Sequence, residues 1–397
     1  MKNTTRIITF IGSAIIVASS SFGNAQAPAP APAASASASQ ILTQPADPAA
    51  TTWKSEKNWA GDLRLRIHDS KDGTNDTRIY EQIRARLAYR ADIEPNLSAT
   101  LRLATGTSAI SANQTLGDGG TPGMQRRAFG LDQAYFDYRP CLDTKVWLGK
   151  TPNPYYAPAG NQLIFDADID FEGLSAKWNS DGTDFGLFAA LGGSLISENY
   201  AAGVDTPDSG LLGAQVGATW KQIGLTGAVA AYTYFGVEGR PATNVAPTTS
   251  LIVTPGRFGG NSLNGTTFAS GFQIYEAALS WKHTWDALQV ELFYDMLQNA
   301  VGRLGHSAYE TGVVAKYGPW SAGYALVFKE ADSTVGAFSD SDTNGGGTDT
   351  NGARANISYQ ISKVITASLT DFRAKRNIST AAPSDFGDTI LDFAASF

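Results

Sequence analysis

Asp62-Leu63-Arg64-Leu65-Arg66-Ile67-His68 sets a charged or polar side chain at every even position and an aliphatic one at every odd position. Successive side chains of a strand leave on opposite faces, so this run has one ionic face and one hydrocarbon face. The pattern returns in Arg84-Ala85-Arg86-Leu87-Ala88-Tyr89-Arg90, in Glu276-Ala277-Ala278-Leu279-Ser280-Trp281-Lys282 and in Arg354-Ala355-Asn356-Ile357-Ser358-Tyr359-Gln360. Long amphipathic helices are hard to find. After Ala27 no stretch approaches the length of apolar sequence, about 18 residues, that a membrane-crossing helix needs.

Working outward from these runs, about 16 segments read as strands. They cover roughly 59–69, 77–92, 96–106, 129–139, 143–151, 169–179, 183–195, 211–221, 224–236, 271–284, 287–299, 306–318, 320–331, 351–361, 364–376 and 389–397. Every second connection is a short turn, such as Glu94-Pro95, Cys141-Leu142, Trp285-Asp286 and Gly318-Pro319. The others are mostly long and polar, near 107–128, 152–168, 196–210, 237–270, 332–350 and 377–388. Short turns at one end and long loops at the other describe an all-β, transmembrane antiparallel barrel over 58–397, with periplasmic turns and extracellular loops. Hydrocarbon cannot satisfy an exposed backbone N–H or C=O, so a spanning sheet must close on itself. A soluble sandwich or β-helix would explain the period but not the alternating connection lengths.

Composition agrees. Charged residues are 17% of the 397 and hydrophobic ones 43%, where a soluble domain carries about a quarter charged residues. A wall with one face in lipid requires that deficit. One Cys and three His exclude a disulfide framework and a thiol-rich metal site. The net charge of −7, lower still without Lys2 and Arg6, argues against a nucleic-acid partner.

The N-terminus reads as an export signal over 1–27. Lys2 and Arg6 supply the positive region, Ile7 to Ala18 the apolar stretch, and Ala25-Gln26-Ala27 a small-x-small cleavage site. An N-terminal membrane anchor is the competing reading. Residues 28–57 begin with PAPAPAASASAS, a low-complexity Pro/Ala/Ser piece expected to be a periplasmic tether. At the other end, Phe397 closes an alternating strand with Phe393 on the same face. This resembles the terminal signature that the barrel assembly machinery recognises in outer-membrane proteins.

Several motifs in order resemble the putative porin family of Gram-negative bacteria, most clearly over about 59–180. They are Trp59-Ala60-Gly61-Asp62-Leu63-Arg64-Leu65-Arg66, Arg84-Ala85-Arg86-Leu87 running on to Leu101-Arg102-Leu103-Ala104-Thr105-Gly106, Leu148-Gly149-Lys150-Thr151-Pro152-Asn153-Pro154, and Asp166-Ala167-Asp168-Ile169-Asp170-Phe171-Glu172-Gly173-Leu174. The resemblance implies an outer-membrane diffusion channel for small polar solutes or ions, surrounded by lipid and commonly a homotrimer. The tether is not a feature of that resemblance.

In such a channel, pore width and lumen field do the work. The alternation assigns Arg64, Arg66, Arg78, Arg84, Arg86, Arg90 and Arg102 inward, because guanidinium groups in lipid are costly. They are expected to form a basic wall and give a mild anion preference where they dominate. The alternative puts some of them at the rims. Asp166, Asp168, Asp170 and Glu172 form an acidic cluster where a long loop enters a strand, and a loop folded into the barrel would set them opposite the arginines. Ca²⁺ at Asp166, Asp168 and Asp170 is a second reading of that cluster, without EF-hand spacing. A structural or surface barrel without conductance and a barrel enzyme are the competing functional classes. No GxSxG elbow supports the enzyme.

Overall fold

The computed structural model describes residues 58–118, 123–201, 204–205, 207–245, 253–254 and 257–397. The leader expected at 1–27 and the tether expected at 28–57 lie outside the described residues.

Sixteen long strands build the wall. In the first half they are β1 Trp59–Asp72, β2 Arg78–Glu94, β3 Leu97–Thr105, β4 Phe129–Cys141, β5 Thr144–Thr151, β6 Phe171–Asp181, β7 Phe185–Ser197 and β8 Ser209–Trp220. The second half comprises β9 Leu225–Phe235, β10 Phe272–Trp285, β11 Leu288–Asn299, β12 Ser307–Tyr317, β13 Trp320–Lys329, β14 Thr350–Gln360, β15 Ile365–Arg376 and β16 Ser384–Ser396. Each pairs antiparallel with its chain neighbour. β16 returns to β1, with Leu65 opposite Phe393 and Asp62 opposite Ser396. Gly61 and Phe397 exchange backbone hydrogen bonds of 2.9 and 3.0 Å, completing the seam. The sheet therefore has no free edge, as a lipid-embedded sheet requires.

Side-chain direction follows the sequence pattern. On β1, Leu63 and Leu65 are exposed on the outer face while Asp62, Arg66 and His68 are buried on the inner one. Aromatic rings band the outside near the short-turn end, including Trp59, Trp178, Trp220, Trp285, Trp320 and Tyr359. Three pairs tile there: Trp59 with Tyr89, Phe185 with Trp220, and Trp320 with Tyr359. Phe129, Phe235, Tyr275 and Tyr309 form a second exposed set toward the long loops. Two aromatic bands flanking a Leu- and Val-rich belt mark the two lipid–water interfaces.

Two sequence expectations need correction. Asp168-Ile169-Asp170 alternates like a strand, yet β6 begins only at Phe171, because both carboxylates are taken by arginines of the facing wall. β16 begins at Ser384 rather than 389; Asp385, Gly387 and Asp388 blur its alternation.

The inner face is also not polar all round. Loops 152–170 and 330–349 and the described residues of 236–271 fold back against the wall of β6 to β13. They enclose an apolar cluster that includes Tyr155, Leu163, Phe165, Tyr232, Phe272 and Leu297. Its rings meet edge to face: Phe165 to Phe171 at 5.1 Å and Tyr155 to Tyr232 at 5.0 Å. Burial of such rings holds the loops inside the barrel.

Candidate functional site

The candidate site grows from the register of the first three strands. Pairing sets Arg86 opposite Asp62 and Arg84 opposite Arg64, and Arg66 opposite Gln82, all on the inner face. Asp62, only 2% exposed, lies between two guanidinium groups, 2.9 Å from Arg84 Nη2 and 2.7 Å from Arg86 Nε. A carboxylate so deep persists because two charge-assisted donors replace its water.

Two inward loops supply the opposing charge. Loop 152–170 brings Asp168 to Arg86 at 3.0 Å and Asp170 to Arg102 at 3.1 Å, with Gln133 Nε2 donating to Asp170 at 2.6 Å. Arg102 also pairs with Asp132. Loop 330–349 brings Asp342 to Arg66 at 2.5 Å, while Arg66 grips Asp392 of β16 at 2.7 and 2.8 Å. The loops then tie to one another. Ser341 N donates to Asp166 Oδ2 at 2.9 Å, Asp166 N to Phe338 O at 2.7 Å, and Ser341 Oγ to Ile110 O at 3.2 Å.

These loop carboxylates differ electrostatically. Burial, together with Asp340 and Asp168 nearby, pushes the Asp166 carboxyl well above the usual range. Burial acts the same way on Asp168, but Arg84, Arg86 and Arg64 overcome it and hold that carboxyl well below the usual range. Asp342 is likewise lowered, Arg66 and Arg64 outweighing its burial.

Arg64, Arg66, Arg84, Arg86 and Arg102 thus form one basic wall that meets the Asp166–Asp170 loop. The other predicted residues stand apart. Arg78 lies over the Tyr80 ring at 4.3 Å near the long-loop end, and Arg90 bonds Asp92 at 3.1 Å near the short-turn end. Both therefore take rim positions. Glu172 does not join the acidic cluster: Phe171 turns inward, so Glu172 turns outward and meets Lys150 at 2.8 Å. The Ca²⁺ reading is corrected too. Asp168 and Asp170 go to different arginines, and among the described residues no group of three or more His, Cys, Asp or Glu is placed to hold a metal ion.

Beneath the loops lies a cavity of about 920 Å³. Arg64, Arg66 and Arg84 line one side and Lys177, Lys221, Lys282 and Lys316 another, with Tyr156, Glu291 and Arg354 between them. The lysines and Asp392 escaped the sequence reading as site residues. Lys177, Lys282, Lys316 and Asp392 sit on the inner faces of β6, β10, β12 and β16, and Lys221 in the short turn after β8, each lysine isolated in sequence from other like charges of its face. Loop 330–349 is rich in aspartate, with Asp332, Asp340, Asp342 and Asp349, and this was the available signal for its role.

A closed sixteen-stranded barrel with aromatic bands, an apolar belt and loops folded against a basic inner wall defines an outer-membrane barrel of the porin class. The family model described as putative porin matches residues 57–255, and the chain belongs to that family. Its place is the outer membrane, with lipid against the belt. Among solved structures it is similar to OprB of Pseudomonas putida in its high-pH form, at 12% identity and a TM-score of 0.55, covering 85% of this chain and 94% of that one. It also matches OmpF of Salmonella typhi in complex with daunomycin, at 10% identity, TM-score 0.48 and coverage of 85% and 97%. At 12% identity the OprB likeness is one of fold. No curated protein matches the sequence.

Proposed function

We propose that the chain is a passive channel for small polar and charged solutes, with a mild anion preference. The observation that carries this reading is the charged cavity of about 920 Å³ running between the arginine wall and the lysines of β6, β10 and β12. Planar bilayers test it: ohmic steps of defined size are expected, and a folded preparation that never conducts would remove the channel.

The anion preference does not come from the arginine wall as a whole. Arg66, Arg84, Arg86 and Arg102 are matched by Asp62, Asp132, Asp168, Asp170, Asp342 and Asp392. Arg64 stands outside this pairing. Its Nη2 donates to the neutral Asn113 amide at 2.6 Å, and its nearest carboxylate, Asp392, is 3.9 Å away and already held by Arg66. Lys282 and Lys221 meet Glu291 and Asp181, so Arg64 and Lys177 chiefly carry the preference.

One observation favours a second reading, a surface or structural barrel. The apolar cluster of Tyr155, Phe165 and Tyr232 fills part of the long-loop half of the lumen. The bilayer measurement separates the two. Assembly as a homotrimer belongs to the same proposal and is read by native mass. So does recognition of Phe393 and Phe397, both exposed at the closing strand, by the assembly machinery; Phe397→Ala is expected to slow insertion in cells.

A further inference from the structure

β5 and β6 carry two unusual rungs on the inner face. In the first, Lys145 lies directly opposite Lys177. Like charges facing each other across two strands destabilise a sheet. The Lys177 ammonium lies 5.8 Å from the Trp147 ring centroid, and among the described residues neither lysine has a salt-bridge carboxylate.

The next rung pairs Trp147 with Ser175, 6% and 4% exposed. The indole N–H and the serine hydroxyl are both buried without a hydrogen-bond partner. Each such group is costly to leave unpaired. Other charges nearby are Asp137 on β4, opposite Trp147, which Arg139 engages at 3.2 Å, and Arg90. Of these residues Lys177 lines the large cavity, so the lysine rung meets the lumen through it.

Two ammonium groups and two orphaned neutral donors in adjacent rungs ask for one kind of ligand: a small anion with several acceptor oxygens. A sugar hydroxyl could satisfy the indole and serine but not the facing lysines. Chloride could screen the lysines but offers no divergent oxygens. We propose that Lys145, Lys177, Trp147 and Ser175 form a subsite for small oxyanions, carboxylate or phosphate, on the channel wall. This rests on the channel reading only in that the lumen must admit solute. It goes beyond that reading by naming the ligand chemistry and the place.

The test uses the full folded chain in detergent with ¹⁵N-labelled indoles, titrated with inorganic phosphate, acetate or chloride at matched ionic strength. Phosphate or acetate should move one indole resonance saturably, and that resonance should vanish in Trp147→Phe. Lys177→Gln and Lys145→Gln should each weaken binding at least tenfold, and Ser175→Ala about threefold. Movement by phosphate alone assigns a phosphate site, and by acetate alone a carboxylate site. No movement, equal movement by chloride, or unchanged binding in the Lys145→Gln/Lys177→Gln double variant would overturn the proposal and leave the orphaned donors to water. The titration does not depend on conduction. Binding without conductance would sink the channel and keep the subsite, and conductance without binding would do the reverse.

Discussion

Replacing Arg64 by Gln removes one charge from the lumen while sparing every buried carboxylate its partner. Arg64 sits between Arg66 and, across the strand, Arg84; both repel it, and its own hydrogen bond goes to neutral Asn113. A unit charge acting on an ion about 6 Å away through water-filled space is worth about 0.7 kcal/mol. Salt near 0.1 M, with a Debye length of about 10 Å, cuts this by about half. The charge attracts anions and repels cations, so the anion-to-cation permeability ratio should fall about threefold. At molar salt, where the screening length is about 3 Å, the difference should largely vanish. Reversal potentials in a KCl gradient read the ratio, and heat modifiability in detergent reads the fold. Arg84→Gln and Arg86→Gln should move the ratio far less and carry a structural cost instead, because each leaves Asp62, almost fully buried, with half its donors. Breaking a buried pair costs about 3–5 kcal/mol. An unchanged ratio in Arg64→Gln, beside Arg84→Gln and Arg86→Gln variants that are as stable as the parent, would refute this division of labour.

Three further outcomes follow from the same geometry. Asn161→Ala removes the amide that donates to fully buried Asp295 at 2.8 Å, at a cost of about 1–3 kcal/mol; loop 152–170 should loosen, giving flickering single-channel currents, and quiet currents of parental size would count against the pin. Leu65→Arg puts a charge on the mid-strand lipid face and should cost about 2–4 kcal/mol in refolding into vesicles, whereas Ser368→Arg on the lumen face should cost far less; equal costs would reverse the assigned faces. The pH response follows from Asp168 and Asp342, whose folded carboxyls lie below the unfolded value of about 3.9. A depressed carboxyl stabilises above its unfolded pKa and loses that contribution as pH falls through the folded one, so these two pins should hold from neutrality down to about pH 4, and their release near pH 6 would contradict the pairing with Arg86 and Arg66.

The wall was legible because each of its strands lives by a binary rule. Lipid on one side and water on the other force a period of two, and Leu63, Arg64, Leu65 and Arg66 display it without exception. The loops obey no such rule. Residues 330–349 are polar in sequence, yet Asp332, Ser333, Asn344 and Asp349 are fully buried, and Asp332 and Asp349 meet partners distant in sequence, Ser262 and Ser379, that no local pattern announces. β9, β10 and β11 were located but not their inward character, because Tyr232, Ile274 and Leu297 face loops rather than water. The arginines of the wall and the Asp166–Asp170 loop set against them were legible; the full extent of their pairing was not. That depended on Asp392 and Asp342, which reach Arg66 from positions 326 and 276 residues away in sequence.

The pairing explains why a chain with so few charges spends them in one place. A loop folded into a barrel must exchange water for protein contacts, and among the described residues apolar packing does this mainly along the β6 to β13 side, where Phe165 and Tyr232 lie. Toward β1 to β3 the wall is ionic, and a loop can dock there only by presenting carboxylates to guanidinium groups. Asp168, Asp170 and Asp342 do so. Arg66, Arg86 and Arg102 are then anchors first, their field largely spent on the loops they hold. What remains to act on a passing ion is chiefly the charge that holds no loop in place: Arg64 with its neutral partner, and Lys177 on the opposite wall. Loop docking and ion preference are thereby carried by different residues of the same lumen, so either should be adjustable by substitution without disturbing the other.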